Sequence, residues 1–171
     1  MYEVGQLVQY GSTGVCKITE IKKQDFPEVG QRLYYVLHPL YQSCVISVPV
    51  DSTKVFMRPI ISREEAERLI AGIPSLRCQA FHGRAARDLA AHYETLLERH
   101  DCQDWMELTM SIHAKKESMQ QQKRRFGSVD ERFLKQGEDL LFGELAAALD
   151  IPREEVPGYI AARVESLKEA G

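Results

Sequence analysis

A chain of 171 residues, 44% hydrophobic and 27% charged, has the composition of a folded globular protein with room for one large or two small domains, which excludes disorder as a first reading. The formal net charge of −3 excludes a protein that coats nucleic acid by bulk electrostatics, because such binding needs a net cationic surface to release counterions. Any nucleic-acid contact must be local or assisted. Cys16, Cys44, Cys78 and Cys102 are scattered without a CxxC pair or a following pair of histidines, which favours buried free thiols over a zinc site. The start MYEVGQLVQY has no basic leader region, and no stretch approaches the ~18 consecutive apolar residues of a membrane span, so the expectation is a soluble cytoplasmic protein.

Residues 4–10 alternate weakly through Val4, Leu7, Val8 and Tyr10 and meet Gly11-Ser12-Thr13-Gly14, whose two glycines suit a tight turn. Residues 15–22 alternate again, and residues 22–31, with Asp25, Pro27 and Gly30, read as an exposed polar loop. The stretch 30–50 then reads as a hairpin. Leu33, Tyr35 and Leu37 fall on one side and Tyr34, Val36 and His38 on the other, with a second run from Cys44 to Val48. Pro49 ends that run or marks an edge strand. A short fifth strand over residues 54–57 stops before Pro59. Five short strands in this span predict a small, strongly bent antiparallel sheet of SH3 or Tudor type.

From Ser62 the period changes. Ser62-Arg63-Glu64-Glu65 is a capping-box pattern, opening a short helix through Leu69 and Ile70 that Gly72 and Pro74 stop. Leu89, Tyr93, Leu96 and Leu97 make one helical stripe, and a break at Asp101-Cys102 resets the phase. Trp105, Leu108, Thr109 and Ile112 recur at i, i+3, i+4 and i+7, which assigns the only tryptophan to a core face. That helix is expected to run on, polar, from Lys115 to about Arg125. Ser128-Val129-Asp130-Glu131 is a second capping-box pattern before a helix with Phe133, Leu134, Leu140, Leu141 and Leu145 inward. A last helix follows Asp150-Ile151-Pro152 and buries Tyr159, Ile160, Val164 and Leu167. The fold class expected is α+β: a Tudor-like five-stranded β domain over residues 1–61, then an all-α bundle over 62–171.

Chemistry is scarce. His100-Asp101-Cys102 places three reactive side chains next to one another, but chain neighbours do not face each other and no oxyanion motif accompanies them, so no enzyme, cofactor, metal or small-molecule substrate is expected. The densest cationic stretch holds Lys115, Lys116, Lys123, Arg124, Arg125, Arg132 and Lys135. It reads either as a solvated helix end or as a phosphate contact, the latter favoured by the free N–H groups of the helix opening at Ser128. Phe81-His82, beside Arg77, Arg84 and Arg87, reads either as a wedge against DNA or as a staple on its own helix.

Val4-Gly5-Gln6-Leu7-Val8-Gln9-Tyr10, the turn over residues 11–14, Tyr34-Tyr35-Val36-Leu37 and Val48-Pro49-Val50-Asp51 resemble the N-terminal domain of the CarD/CdnL bacterial transcription regulators, which is also similar to the polymerase-binding module of transcription-repair coupling factor. Asp130-Glu131-Arg132-Phe133-Leu134-Lys135 and Leu141-Phe142-Gly143-Glu144-Leu145-Ala146 resemble that family's C-terminal bundle. The resemblance implies a domain that docks on the β subunit of RNA polymerase and a helical domain that touches promoter DNA at the upstream edge of the transcription bubble. Open-complex formation or lifetime is then the quantity acted on. Where the family commonly carries a tryptophan wedge, this chain has Phe81-His82. Expected docking residues are Lys22, Lys23, Arg32, Tyr34, Val36, Ile46 and Ser47; expected DNA contacts are Phe81, Arg84, Arg87, Lys123, Arg124 and Arg125. The competing reading is a protein-only adaptor whose bundle binds a second protein and never DNA.

Overall fold

The computed structural model describes residues 1–76, 81 and 85–170. Two compact units follow one another, Met1–Ile61 and Ser62–Gly171. The first is an antiparallel sheet of β1 (Leu7–Tyr10), β2 (Gly14–Phe26), β3 (Gly30–Pro39), β4 (Ile46–Pro49) and β5 (Met57–Pro59), in the order β4-β3-β2-β1-β5. Its prolines obey the ladder: Pro49 and Pro59 both lie in edge strands, where a missing N–H is harmless. The turn into β2 uses Gly11 and Gly14 at φ of +46° and +104°. Val8, Cys16, Ile18, Tyr35, Leu37 and Val48 form the core, and Tyr2, Tyr10, Ile21, Ile46, Val50 and Met57 pack around it. The N-terminal segment is tied down by Tyr2, whose N–H donates to the Tyr35 hydroxyl and whose own hydroxyl donates to the Met57 carbonyl.

Residues 22–31 are not the polar loop their composition suggests. β2 and β3 run on as a two-stranded ribbon that pairs as far as Phe26 with Gly30, leaving only residues 27–29 to turn. A ribbon solvated on both faces needs no apolar alternation, so period two was absent there. Thr19 is the extra residue of a β-bulge between the pairs Ile18 with Leu37 and Glu20 with Val36. Beyond it the face of every β2 residue is inverted relative to simple alternation. Ile21 consequently joins Ile18 on the core side.

The second unit comprises α1 (Arg63–Ala71), α2 (Ala86–Leu97), α3 (Cys102–Gln121), α4 (Ser128–Leu149) and α5 (Val156–Ala170), with 3-10 turns at Ile73–Ser75 and Arg153–Glu155. Ser62 caps α1 as expected, its hydroxyl accepting from the Glu65 N–H at 3.1 Å. Asp101 caps α3 in the same way through the Gln103 N–H at 2.7 Å. α4 packs against each of the other four helices. Leu89 and Tyr93 from α2, Leu108 and Ile112 from α3, and Phe133 and Leu134 from α4 share one core. A Cβ on Gly137 would stand 3.0 Å from Thr109 Cγ2, so the absence of a side chain is what lets α3 and α4 approach. At the other end α1 is held by Arg63, which donates to the Leu149 carbonyl at 2.8 Å, and by a Tyr159 to Glu67 hydrogen bond.

Three further expectations fail for identifiable reasons. Ser128 is not a cap, because Gly127 occupies that position without a side-chain bond and Asp130 is drawn into the core instead. Lys115 does not belong to a solvated cationic run; it is 5% exposed and paired. Of the cysteines expected to be buried, Cys16 and Cys102 are, but Cys44 is exposed in the connection before β4, and Cys78 lies outside the described residues. Burial, with the neighbouring Cys44 adding to it, pushes the Cys16 thiol up to about 11, which keeps it protonated and unreactive.

Candidate protein and nucleic-acid interfaces

Cross-strand partners in an antiparallel pair point to the same face, so register sorts the expected docking residues. Gln24 pairs with Arg32, Lys22 with Tyr34 and Glu20 with Val36 across β2 and β3, while Val36 faces Ser47 and Tyr34 faces Pro49 across β3 and β4. Lys22, Arg32, Tyr34, Val36 and Ser47 therefore share the face opposite the core. Lys23 and Ile46 do not. Lys23 pairs with Leu33 and Ile46 with Leu37 on the core side, and Ile46 packs against the core itself.

Nor are Tyr34 and Val36 the exposed anchors expected; they are 9% and 7% exposed. Strand β3 lies between β2 and β4, so neighbours flank Val36 on both sides, and the Thr19 hydroxyl donates to its carbonyl at 3.3 Å. The Tyr34 ring meets Phe26 edge-on, with centroids 5.4 Å apart. Lys22 is half-buried, and Arg32 and Ser47 are exposed, so the face is an apolar floor with a cationic and polar rim. At the ribbon tip Phe26, Pro27, Glu28, Val29 and Tyr34 line a hollow of about 460 Å³. Phe26 and Val29, within the stretch whose composition suggests a loop, are 40% and 51% exposed. The signal available in the sequence was two large apolar side chains flanking Pro27 in an otherwise polar stretch.

On the helical unit the connection from α3 to α4 collects the cations. α3 stops at Gln121, four residues short of Arg125, in a Schellman turn: Lys123 N–H donates to the Gln120 carbonyl at 3.0 Å and Arg124 N–H to the Met119 carbonyl at 2.8 Å. Lys123 adopts the left-handed φ of +56° that this turn demands and that glycine usually supplies. Lys123, Arg124 and Arg125 are exposed on the turn, while Phe126 after them is partly buried against the core under the Lys116 ammonium, 5.4 Å from the ring centroid. Replacing Lys123 with glycine should raise unfolding stability by about 0.5–1 kcal/mol, measured by denaturant titration, because left-handed strain is relieved while the freer unfolded chain offsets part of the gain.

The expected DNA residues divide. Arg87 is exposed in the first turn of α2, and Arg84 lies outside the described residues. Phe81 is partly buried and stacked on His92, with centroids 3.9 Å apart and an interplanar angle of 16°. Its ring is engaged on the helix that follows it. Burial, with help from Arg99, lowers the His92 pKa, which keeps the stacked imidazole neutral.

Among the described residues no group of three or more His, Cys, Asp or Glu is placed to hold a metal ion, and no helix is long and apolar enough to cross a membrane. No curated protein matches the chain. Residues 2–61 match the model of the CarD-like/TRCF RID domain, a domain family that interacts with RNA polymerase. The match spans all five strands and the core they enclose, and by it the N-terminal unit is a CarD-like/TRCF RID domain.

Proposed function

We propose that this protein is a transcription regulator without chemistry of its own. Its β unit docks on the RNA polymerase β subunit, and its helical unit meets promoter DNA at the upstream edge of the transcription bubble to modulate open-complex formation or lifetime. The observation that carries the reading is the domain match over residues 2–61. The rimmed face of the sheet supports it, since an apolar floor with charges at its border suits a protein partner. The free edge of β4 offers main-chain pairing beside that face.

Lys22 and Lys23 test docking because they are chain neighbours on opposite faces. Lys22→Glu with Arg32→Glu should weaken capture of the β subunit roughly tenfold per reversed charge, whereas Lys23→Glu should leave it unchanged. Equal loss from both would show that the face has been misassigned.

For DNA the support is the exposed trio Lys123, Arg124 and Arg125 on a turn of defined geometry, with Arg87 as an accessory cation. A net charge of −3 is compatible with this, because docking on polymerase raises the local concentration of promoter and a small patch suffices. Arg124→Ala with Arg125→Ala should lower the salt slope of the promoter-complex affinity conferred by the protein by roughly one unit per lost phosphate contact. An unchanged slope would move the helical unit to the adaptor reading, a surface for a second protein.

A further inference from the structure

Three buried polar side chains from three helices converge below the cationic turn. Lys115 Nζ stands 2.9 Å from Asp130 Oδ2 and 3.1 Å from Oδ1, and the Tyr93 hydroxyl donates to Oδ1 at 2.6 Å. Their exposures are 5%, 3% and 1%. Such a network is a weak source of stability, since desolvation offsets attraction and apolar side chains of similar volume serve as well. It is directional, however: each charge is satisfied in one arrangement only. Placement gives this a purpose. Lys115 lies six residues before the end of α3 at Gln121, and Asp130 lies in the first turn of α4, so the pair clamps both arms of the connection whose apex carries Lys123, Arg124 and Arg125.

The geometry points to Lys115, Asp130 and Tyr93 as positioning residues that hold the turn between α3 and α4 in one register, so that its three cations keep a fixed spacing toward a phosphate backbone. The inference rests on the reading of that turn as the DNA contact. Lys115 cannot itself reach DNA, being enclosed, and its charge is used inward. Phe126 anchors the far side of the same turn on the same core.

The test is amide hydrogen exchange on the full chain carrying Lys115→Met, Asp130→Leu and Tyr93→Phe, an apolar replacement of the whole network. Global stability and the protection of Leu108 and Ile112 amides should be kept. The Lys123 and Arg124 amides, which close the turn, should exchange on the order of tenfold faster. Unchanged protection there overturns the proposal. Should the triple variant not fold, Tyr93→Phe alone removes one hydrogen bond and leaves the ion pair; roughly threefold faster exchange at the same amides is expected, and none overturns it. In polymerase–promoter complexes the folded variant should also lose salt slope. A variant that keeps the wild-type slope while Arg124→Ala with Arg125→Ala loses it overturns the proposal as well. If neither changes the slope, the DNA reading has failed and the amide data alone decide the positioning role.

Discussion

Trp105→Ala is expected to destabilise the helical unit by about 3–5 kcal/mol, a large share of the roughly 5–15 kcal/mol that holds a domain folded. The indole is fully buried, and its Nε1–H donates to the Leu97 carbonyl at 3.2 Å, so it joins the end of α2 to the first turn of α3. Two losses add in the alanine variant: a cavity of indole size, and the indole hydrogen bond to a carbonyl that keeps only the His100 N–H at 3.3 Å. Trp105→Phe separates them, because it retains most of the volume and should cost about 1–3 kcal/mol through the lost hydrogen bond and the residual void. Calorimetry of the full chain reads both. A folded, fully stable Trp105→Ala variant defective only in transcription would place a DNA wedge in α3 and contradict the packing assignment.

Lys115→Ala is expected to cost a similar 3–5 kcal/mol for a different reason. Removing the ammonium leaves the Asp130 carboxylate buried with only the Tyr93 hydroxyl for company, and an uncompensated buried charge is far worse than an absent pair. The comparison with Lys115→Met plus Asp130→Leu is diagnostic. If the loss comes from stranding a charge, the double replacement should recover nearly all of it in a denaturant titration. If the lysine acts mainly by filling space, Lys115→Met alone should recover it. Burial, followed by the hydrogen bond to Asp130, raises the Tyr93 hydroxyl far above its ordinary range, so that side chain remains a donor across the accessible pH range.

The architecture was legible from two periods, alternation up to Pro59 and helical spacing after Ser62, because half-buried elements must show one apolar face to a core. Trp105, Leu108, Thr109 and Ile112 were readable for the same reason. What escaped was whatever depends on partners distant in sequence. Lys115 and Asp130 each sit among charges, and their pairing across two helices has no local signature. Asp130 lies inside the Ser128 to Glu131 capping-box pattern, and only packing decides whether a carboxylate at a helix start faces solvent or turns inward. The outer half of the β2 and β3 ribbon was missed because a strand solvated on both faces and a loop have the same composition. Tyr34 and Val36 were assigned to the correct face but not the correct depth, since a sequence gives strand alternation without saying that a strand has neighbours on both flanks.

The bulge at Thr19 has an evolutionary corollary. It is a single residue, and the pairing of β2 with β3 resumes in step immediately beyond it. Loss of the Thr19 codon would make Ile18 and Glu20 chain neighbours in regular alternation, so Glu20 and Lys22 would stay on the outer face and Ile21 and Lys23 on the core side. Such a one-codon loss would thus remove the local twist of the bulge and leave the outward surface of the strand as it is. Relatives one residue shorter in this segment should therefore be aligned with their gap at Thr19, which keeps every later residue on its face.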